Sequence, residues 1–271
     1  MLSAPYLTDR QEHTRSWTDR CPNGAKFLSV ESPICRKLSA AIDLTAADRS
    51  ILERMLSNRS EIAAGTVFVR GGQQLNQAHV VIQGWAYRFR MFQDGRRQIS
   101  RLFLPGDFIG FNSVLLSLPD QSAAALTDMV VSRFDARIFA EQLRKSPRLW
   151  LALLWSYTRD RSIMEERVAS IGRRSSYERL AHIIVELYSR LELVGEAAGD
   201  AFTLPATQEH LADLLGLTNI HVSRMLRRLR QDGLVAVDGR SITILSREKL
   251  MKAADFDPQY LIHGQNMSFG Q

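Results

Sequence analysis

The sequence predicts an α+β fold: an antiparallel β-roll, then a long dimerisation helix, then a C-terminal winged helix-turn-helix. Three observations predict it. Short β-branched and aromatic runs separated by turn residues fill positions 62–135, and a helical period runs from about Ala136 to Leu193. The third is TQEHLADLLGLTNIHVSRMLRRLRQDG at Thr207–Gly233, followed at once by LVAVDGRSITIL. The first string has the spacing of a helix-turn-helix, and the second that of a hairpin wing.

Taken in order, residues 1–32 are polar and proline-punctuated, without a sustained period, and are expected to form a mobile extension. The roll domain is placed at 33–135. Its first part, from Ile34 to about Leu56, has apolar positions that suggest short helices broken near Leu44-Thr45. The runs TVFVR, HVVIQ, WAYRFRMF, QISRLFL and MVVSRF follow, parted by Gly71-Gly72, Gly84, Asp94-Gly95 and Pro105-Gly106-Asp107.

The dimerisation helix is placed at 136–172, with an interruption near Gly172. Within it Trp150, Leu154, Tyr157, Met164, Val168 and Ile171 form a heptad-like stripe, broken only where Arg161 takes the next position. Such a stripe packs either on the chain's own roll or on a second copy. Its place between a sensor-like and a reader-like part assigns it to a dimer coiled coil.

A winged helix-turn-helix domain is placed at 173–256 and a frayed tail at 257–271. Ser176 to Leu191 reads as a helix joining the DNA-binding core. In the helix-turn-helix, Ala212 permits close approach, Gly216 makes the turn, and Leu211, Leu215, Leu217, Val222, Met225 and Leu229 supply the seam. Thr207 is the expected N-cap, beside Pro205. The second helix keeps a polar face with Ser223, Arg224, Arg227 and Arg228, and a major groove accepts such a helix. Asp238-Gly239 turns the wing, and Arg240 stands at its tip, within reach of a DNA backbone.

Composition agrees with a nucleic-acid partner. The 271 residues exceed one domain, and a formal charge of +6 favours an anionic partner. No apolar run approaches the ~20 residues of a spanning helix, and no secretory signal is read, so a cytoplasmic protein with no membrane contact is expected. Cys21 and Cys35 are the two cysteines, too far apart for a zinc knuckle. No nucleophile-and-base spacing or phosphate-loop lysine is found, so no enzyme is expected. The alternative reading is a ligand-binding or oligomerisation module whose basic C-terminal domain docks protein in place of DNA.

These parts, over residues 34–256, resemble the Crp/Fnr superfamily of bacterial transcription regulators. LPGDFIG at Leu104–Gly110 resembles the turn into that family's cyclic-nucleotide-binding cassette; SSYERLAHIIVELYSRL and TQEHLADLLGLTNIHVSRMLRRL resemble the entry helix and helix-turn-helix. The resemblance implies a homodimer on a palindromic double-stranded DNA site, with RNA polymerase as a further partner. It also implies a degenerate ligand cassette. Where cyclic-AMP-binding members carry a glutamate after the cassette glycine, Gly110 is followed by Phe111. Where they carry an arginine-serine pair, Gln121 and Ser122 stand here, and their adenine-contacting hydroxyl pair falls on Met164-Glu165. Losing the charge-assisted phosphate partner forfeits roughly 2–4 kcal/mol, so no response to cyclic AMP is expected.

Two cysteines cannot supply the four thiolates of an iron–sulfur sensor. His79 within the roll leaves a haem sensor as an alternative, but a lone histidine in a strand is usually a packed or surface residue, and no cofactor is assigned. For DNA, the resemblance carries the family's guanine-gripping arginine onto Arg224. Its cytosine-contacting glutamate falls on Ile220, where a thymine methyl is the natural contact. Asn219, His221 and Ser223 are candidates for further base or phosphate contacts, and Arg227 and Arg228 either bind phosphate or simply remain solvated.

Overall fold

The computed structural model describes residues 31–73, 77–110, 119 and 121–262. The extension expected at 1–32 therefore lies outside the described residues up to residue 30, as do Cys21, Phe111 and the end of the tail.

Two short helices come first, α1 (Pro33–Ser39) and α2 (Ala46–Met55). Thr45 ends the break between them and caps α2 in a reciprocal box with Asp48. The roll follows as β1 (Arg59–Ile62), β2 (Val67–Val69), β3 (Ala78–Gln83), β4 (Ala86–Met91), β5 (Arg97–Phe103), β6 (Phe108–Ile109), β7 (Ser122–Ala125) and β8 (Met129–Phe134). They form two antiparallel four-stranded sheets, ordered β1-β8-β3-β6 and β2-β7-β4-β5. Ile62, Val69, Val81, Ala86, Phe103 and Val131 fill the space enclosed by the sheets.

The sequence pattern missed β1, β6 and β7. β1 begins on the polar triplet Arg59-Ser60-Glu61, β6 has two residues, and β7 is SAAA, of low strand propensity. Pairing supplies what propensity lacks: β1 lies on β8 with Ile62 opposite Met129, and β7 is held between β2 and β4.

The helical stretch is broken twice. α3 (Ala136–Leu143) ends before Ser146, which caps α4 (Pro147–Arg173) with proline at its start. Gly172 lies inside α4, so the interruption expected there falls instead at Arg174-Ser175, where Ser175 and Glu178 form the capping box of α5 (Ser176–Val194). The capping hydrogen bonds, not the glycine, set this boundary.

The C-terminal module comprises β9 (Ala201–Thr203), α6 (Gln208–Leu215), α7 (Asn219–Gln231), β10 (Val235–Asp238), β11 (Ser241–Ile244), α8 (Arg247–Ala253) and α9 (Gln259–Ile262). The wing is a three-stranded sheet, β10-β11-β9, the third strand having been too short to read from sequence. Asp238 pairs with Ser241, so the loop is Gly239-Arg240, with Gly239 at φ +55°, one residue later than the dipeptide suggested. The tail is also more structured than expected. Within its described part Tyr260 and Leu261 are buried, and Pro258 leads into α9, where its missing N–H costs nothing.

Candidate nucleic-acid interface and sensor cavity

The turn between α6 and α7 depends on Gly216 in the left-handed region at φ +64°, its N–H donating to the Ala212 carbonyl. Leu211, Leu215, Val222 and Leu229 are buried as expected, while Leu217 and Met225 are half-buried at the seam's margin. Thr218 caps α7. Asn219, Ile220, His221, Arg224, Arg227 and Arg228 are exposed on α7, and Ser223 is half-buried. Arg240 is exposed at the wing tip.

Details of these side chains separate their capacities. Ile220 is 70% exposed, an apolar side chain standing in water at the start of a helix. His221 is tied back, its Nδ1 lying 2.8 Å from Thr218 Oγ1, which leaves Nε2 for an external partner. Arg228 is not simply solvated: it lies 4.7 Å over the Tyr177 ring, whose hydroxyl donates to Asp232 at 2.6 Å. Arg224 and Arg227 carry positive charge along the same helix, whose described acidic neighbour, Asp232, follows its last residue.

The expected dimerisation stripe is open. Trp150, Leu154, Tyr157, Val168 and Ile171 are exposed, Tyr157 at 62% and Val168 at 69%, and Met164 is half-buried. The opposite side of α4 makes the intrachain core through Leu149, Ala152, Leu153 and Ile163. Together these side chains form an apolar row facing water, of a kind that soluble proteins rarely expose in one patch.

In the roll, a cavity of about 290 Å³ is lined by Gly110, Gln121, Arg88, Arg101, Asp160 and Met164 among others. Gln121 Oε1 accepts from Ser100 Oγ at 2.6 Å, and Ser122 Oγ accepts from the Gly71 N–H, so Ser122 braces a turn. Arg101 is no substitute phosphate partner, since Asp160 lies 2.6 Å and Asp107 3.6 Å from its guanidinium. Glu165 faces water in an ion pair with Arg161. His79 is buried edge-on to Phe68, and burial, reinforced by Arg133, pushes its pKa down to about 4.

What sequence reading missed is the buried ionic network behind the cavity. Asp107 accepts from Lys37 and Arg190, both at 2.8 Å, and Glu186 pairs with Arg190 and Arg167. Asp107 was legible only as part of a turn, because its partners lie 70 and 83 residues away. A second link joins roll to reader: Arg97 on β5 donates to Asp213 on α6 at 2.7 Å, and Gln98 donates to the Asp213 carbonyl.

The chain matches the model of the Crp-like helix-turn-helix domain at residues 178–253 and that of the cyclic nucleotide-binding domain at 59–146. It is 30% identical over 210 residues to the transcriptional activator protein FnrL of Cereibacter sphaeroides, covering 76% of this chain and 84% of that protein. The chain belongs to the Crp/Fnr family. Another member, the nitrogen fixation regulation protein FixK of Bradyrhizobium diazoefficiens, is 29% identical over 78% of this chain and 88% of its own length. The solved structure of FixK2 from Bradyrhizobium japonicum superposes with a TM-score of 0.60 at 26% identity, covering 72% of this chain and 96% of that one. This Crp/Fnr protein is a DNA-binding transcription regulator, and the alternative of a basic domain that docks protein in place of DNA is set aside by the helix-turn-helix match and these relatives.

Proposed function

We propose that this regulator binds a palindromic DNA site as a homodimer, with α7 of each copy in a major groove. The observation that carries the reading is the exposure, on one chain, of both the α4 apolar stripe and the polar face of α7. Covering the stripe with its symmetry mate removes the apolar row from water and produces two recognition helices. Spaced about 34 Å apart, these read half-sites one helical turn from each other.

Within each half-site, Arg224 grips guanine, Ile220 meets a thymine methyl, and Asn219, Ser223 and His221 Nε2 add polar contacts. Arg227 and Arg240 hold phosphates. Arg228, steadied by Tyr177, adds a phosphate contact at lower entropic cost than a free side chain. The bound dimer then presents its outer surface to RNA polymerase. No described helix is long and apolar enough to cross a membrane, and a DNA target supports action in the cytoplasm.

Cyclic AMP is not the effector in this reading, because the cavity's buried arginine is matched by carboxylates and Gln121 offers a neutral amide. No catalytic role is proposed. Selection of bound sequences from a random DNA pool tests the whole reading: a two-fold symmetric consensus is expected, and enrichment of asymmetric or no sequence overturns it. Affinity for that consensus should fall with salt at a log–log slope of roughly −0.9 per phosphate contacted.

A further inference from the structure

A second cavity, of about 400 Å³, lies between α5, β11, α8 and α9. Val185, Leu250, Met251, Phe256 and Leu261 supply apolar wall, while Tyr188, Glu192 and Arg247 line one side, where Arg247 is taken up by Glu192 at 3.0 Å and by Asp200 at 2.6 Å. One cation enters it from another part of the fold: Arg159, on the long helix α4, is 5% exposed. Its Nε donates to the Leu261 carbonyl at 2.8 Å and its guanidinium lies 5.7 Å from the Trp155 ring. Among the described residues no carboxylate pairs with it. Burial, with Arg190 nearby, pushes its pKa down to about 10 against the longer-range pull of Asp160 and Asp107.

The surrounding charge is unbalanced in the same direction. Lys37, Arg101, Arg159, Arg167 and Arg190 are five buried cations, while Asp107, Glu186 and the largely buried Asp160 are three carboxylates. The adjacent Arg174 and Glu166 pair with each other and leave the difference unchanged. A guanidinium taken out of water without an anion is costly, and an anion in this cavity removes that cost. Arg247 is already matched by Glu192 and Asp200, so the cavity offers one forked donor without a carboxylate of its own; apolar wall with one such donor fits a carboxylate on a hydrocarbon body, whereas a phosphate dianion calls for more free donors.

We propose that this cavity is a binding site for a free monocarboxylic acid with an apolar body, its carboxylate held by Arg159 and its hydrocarbon lying against α8 and α9. The site is separate from the roll cavity and does not rest on the DNA-binding role. Because Arg159 belongs to α4 and the hydrocarbon wall to the reader module, an occupant ties the two across the Arg174-Ser175 break.

Calorimetry of the full chain without DNA, using decanoate below its micellar concentration and decanol as the uncharged control, tests this. Decanoate is expected to bind one per chain and roughly tenfold or more tighter than decanol, the worth of a charge-assisted pair. Arg159→Met should erase that preference. Ser189→Trp, which fills the cavity from a half-buried position, should abolish binding whether or not Arg159→Met folds. Equal affinity for acid and alcohol, absence of saturable decanoate binding, or undiminished binding by Ser189→Trp overturns the proposal.

Discussion

Arg190 on α5 donates to Asp107, 2.8 Å away in the turn between β5 and β6, and a second bond from the same nitrogen reaches the Leu102 carbonyl at 2.9 Å. Both residues are buried. The pair fastens the first helix of the reader module to the roll, and Lys37 of α1 shares the same carboxylate. Burial pushes the Asp107 carboxyl up, but Lys37, Arg190 and Arg101 overcome this and hold it well below the usual carboxylate range.

Asp107→Asn leaves these cations without their shared anion. The substitution is expected to lower stability by roughly 3–5 kcal/mol, as for breaking a buried ion pair from one side. Denaturant titration at neutral pH measures it; a loss under 1 kcal/mol removes Asp107 from this role. The sign with pH follows from the depressed folded pKa. Its contribution is present above the unfolded value near 3.8 and disappears as pH falls through the lower folded value.

Two buried histidines set a milder pH window. His79 is lowered to about 4 by burial and Arg133; His182 is lowered to about 4 by burial, against the opposing pull of Glu186. Between about pH 6.5 and 4 the unfolded chain binds protons that the folded chain refuses, so stability falls as pH drops. The slope reaches about 1.4 kcal/mol per pH unit for each histidine. Replacing His79 by Leu should flatten part of this slope in denaturant titrations run at several pH values; an unchanged slope contradicts the assignment.

Leu154→Glu and Tyr157→Asp place charge on the open stripe of α4. Each parent side chain is about half exposed or more, at 49% and 62%, so the melting temperature of the isolated chain should scarcely move. Sedimentation at micromolar concentration is expected to show a shift from dimer to monomer, with a loss of palindrome binding. Persistent dimers in both variants place the interface elsewhere.

On DNA, Arg224→Ala should cost about 1–3 kcal/mol and relax base choice at one half-site position. Arg228→Ala should weaken specific and random sequences alike, reducing the salt slope by about one phosphate. Competition binding against single-position variants of the selected site distinguishes the two, and equal effects of both substitutions refute the division of labour.

The link from Arg97 to Asp213 gives a dynamic expectation. Arg97→Ala removes the 2.7 Å ion pair between β5 and α6 and its weaker partner Glu209. Both charges of the pair are about one-fifth exposed, so the energetic loss is modest, about 1 kcal/mol or less. Faster amide exchange confined to α6 is the expected readout; unchanged exchange there shows that Gln98 and the Tyr87–His210 ring contact suffice.

Local chemistry made the reader module legible. The left-handed turn at Gly216, the cap at Thr207 and the alternation of apolar and basic residues along α7 act within a few residues of one another, and sequence carries such short-range rules directly. The strongest roll strands and the α4 stripe were readable for the same reason. β1 and β7 were not, since a polar triplet and SAAA become strands through partners that lie distant in the chain.

The order of parts, the basic face of α7, the apolar stripe and the neutral amide of Gln121 in place of an arginine can all be read along the chain. That the stripe is left open, that Arg228 rests on Tyr177 and that Asp107 binds cations brought from three elements is visible in the folded chain and not along it. Arg159, buried beside a cavity with no carboxylate paired to it among the described residues, likewise emerges from the folded chain alone. The physical reason is range. Propensity and capping act over a turn or two of chain, whereas charge pairing and burial depend on distances in space that only the folded chain sets.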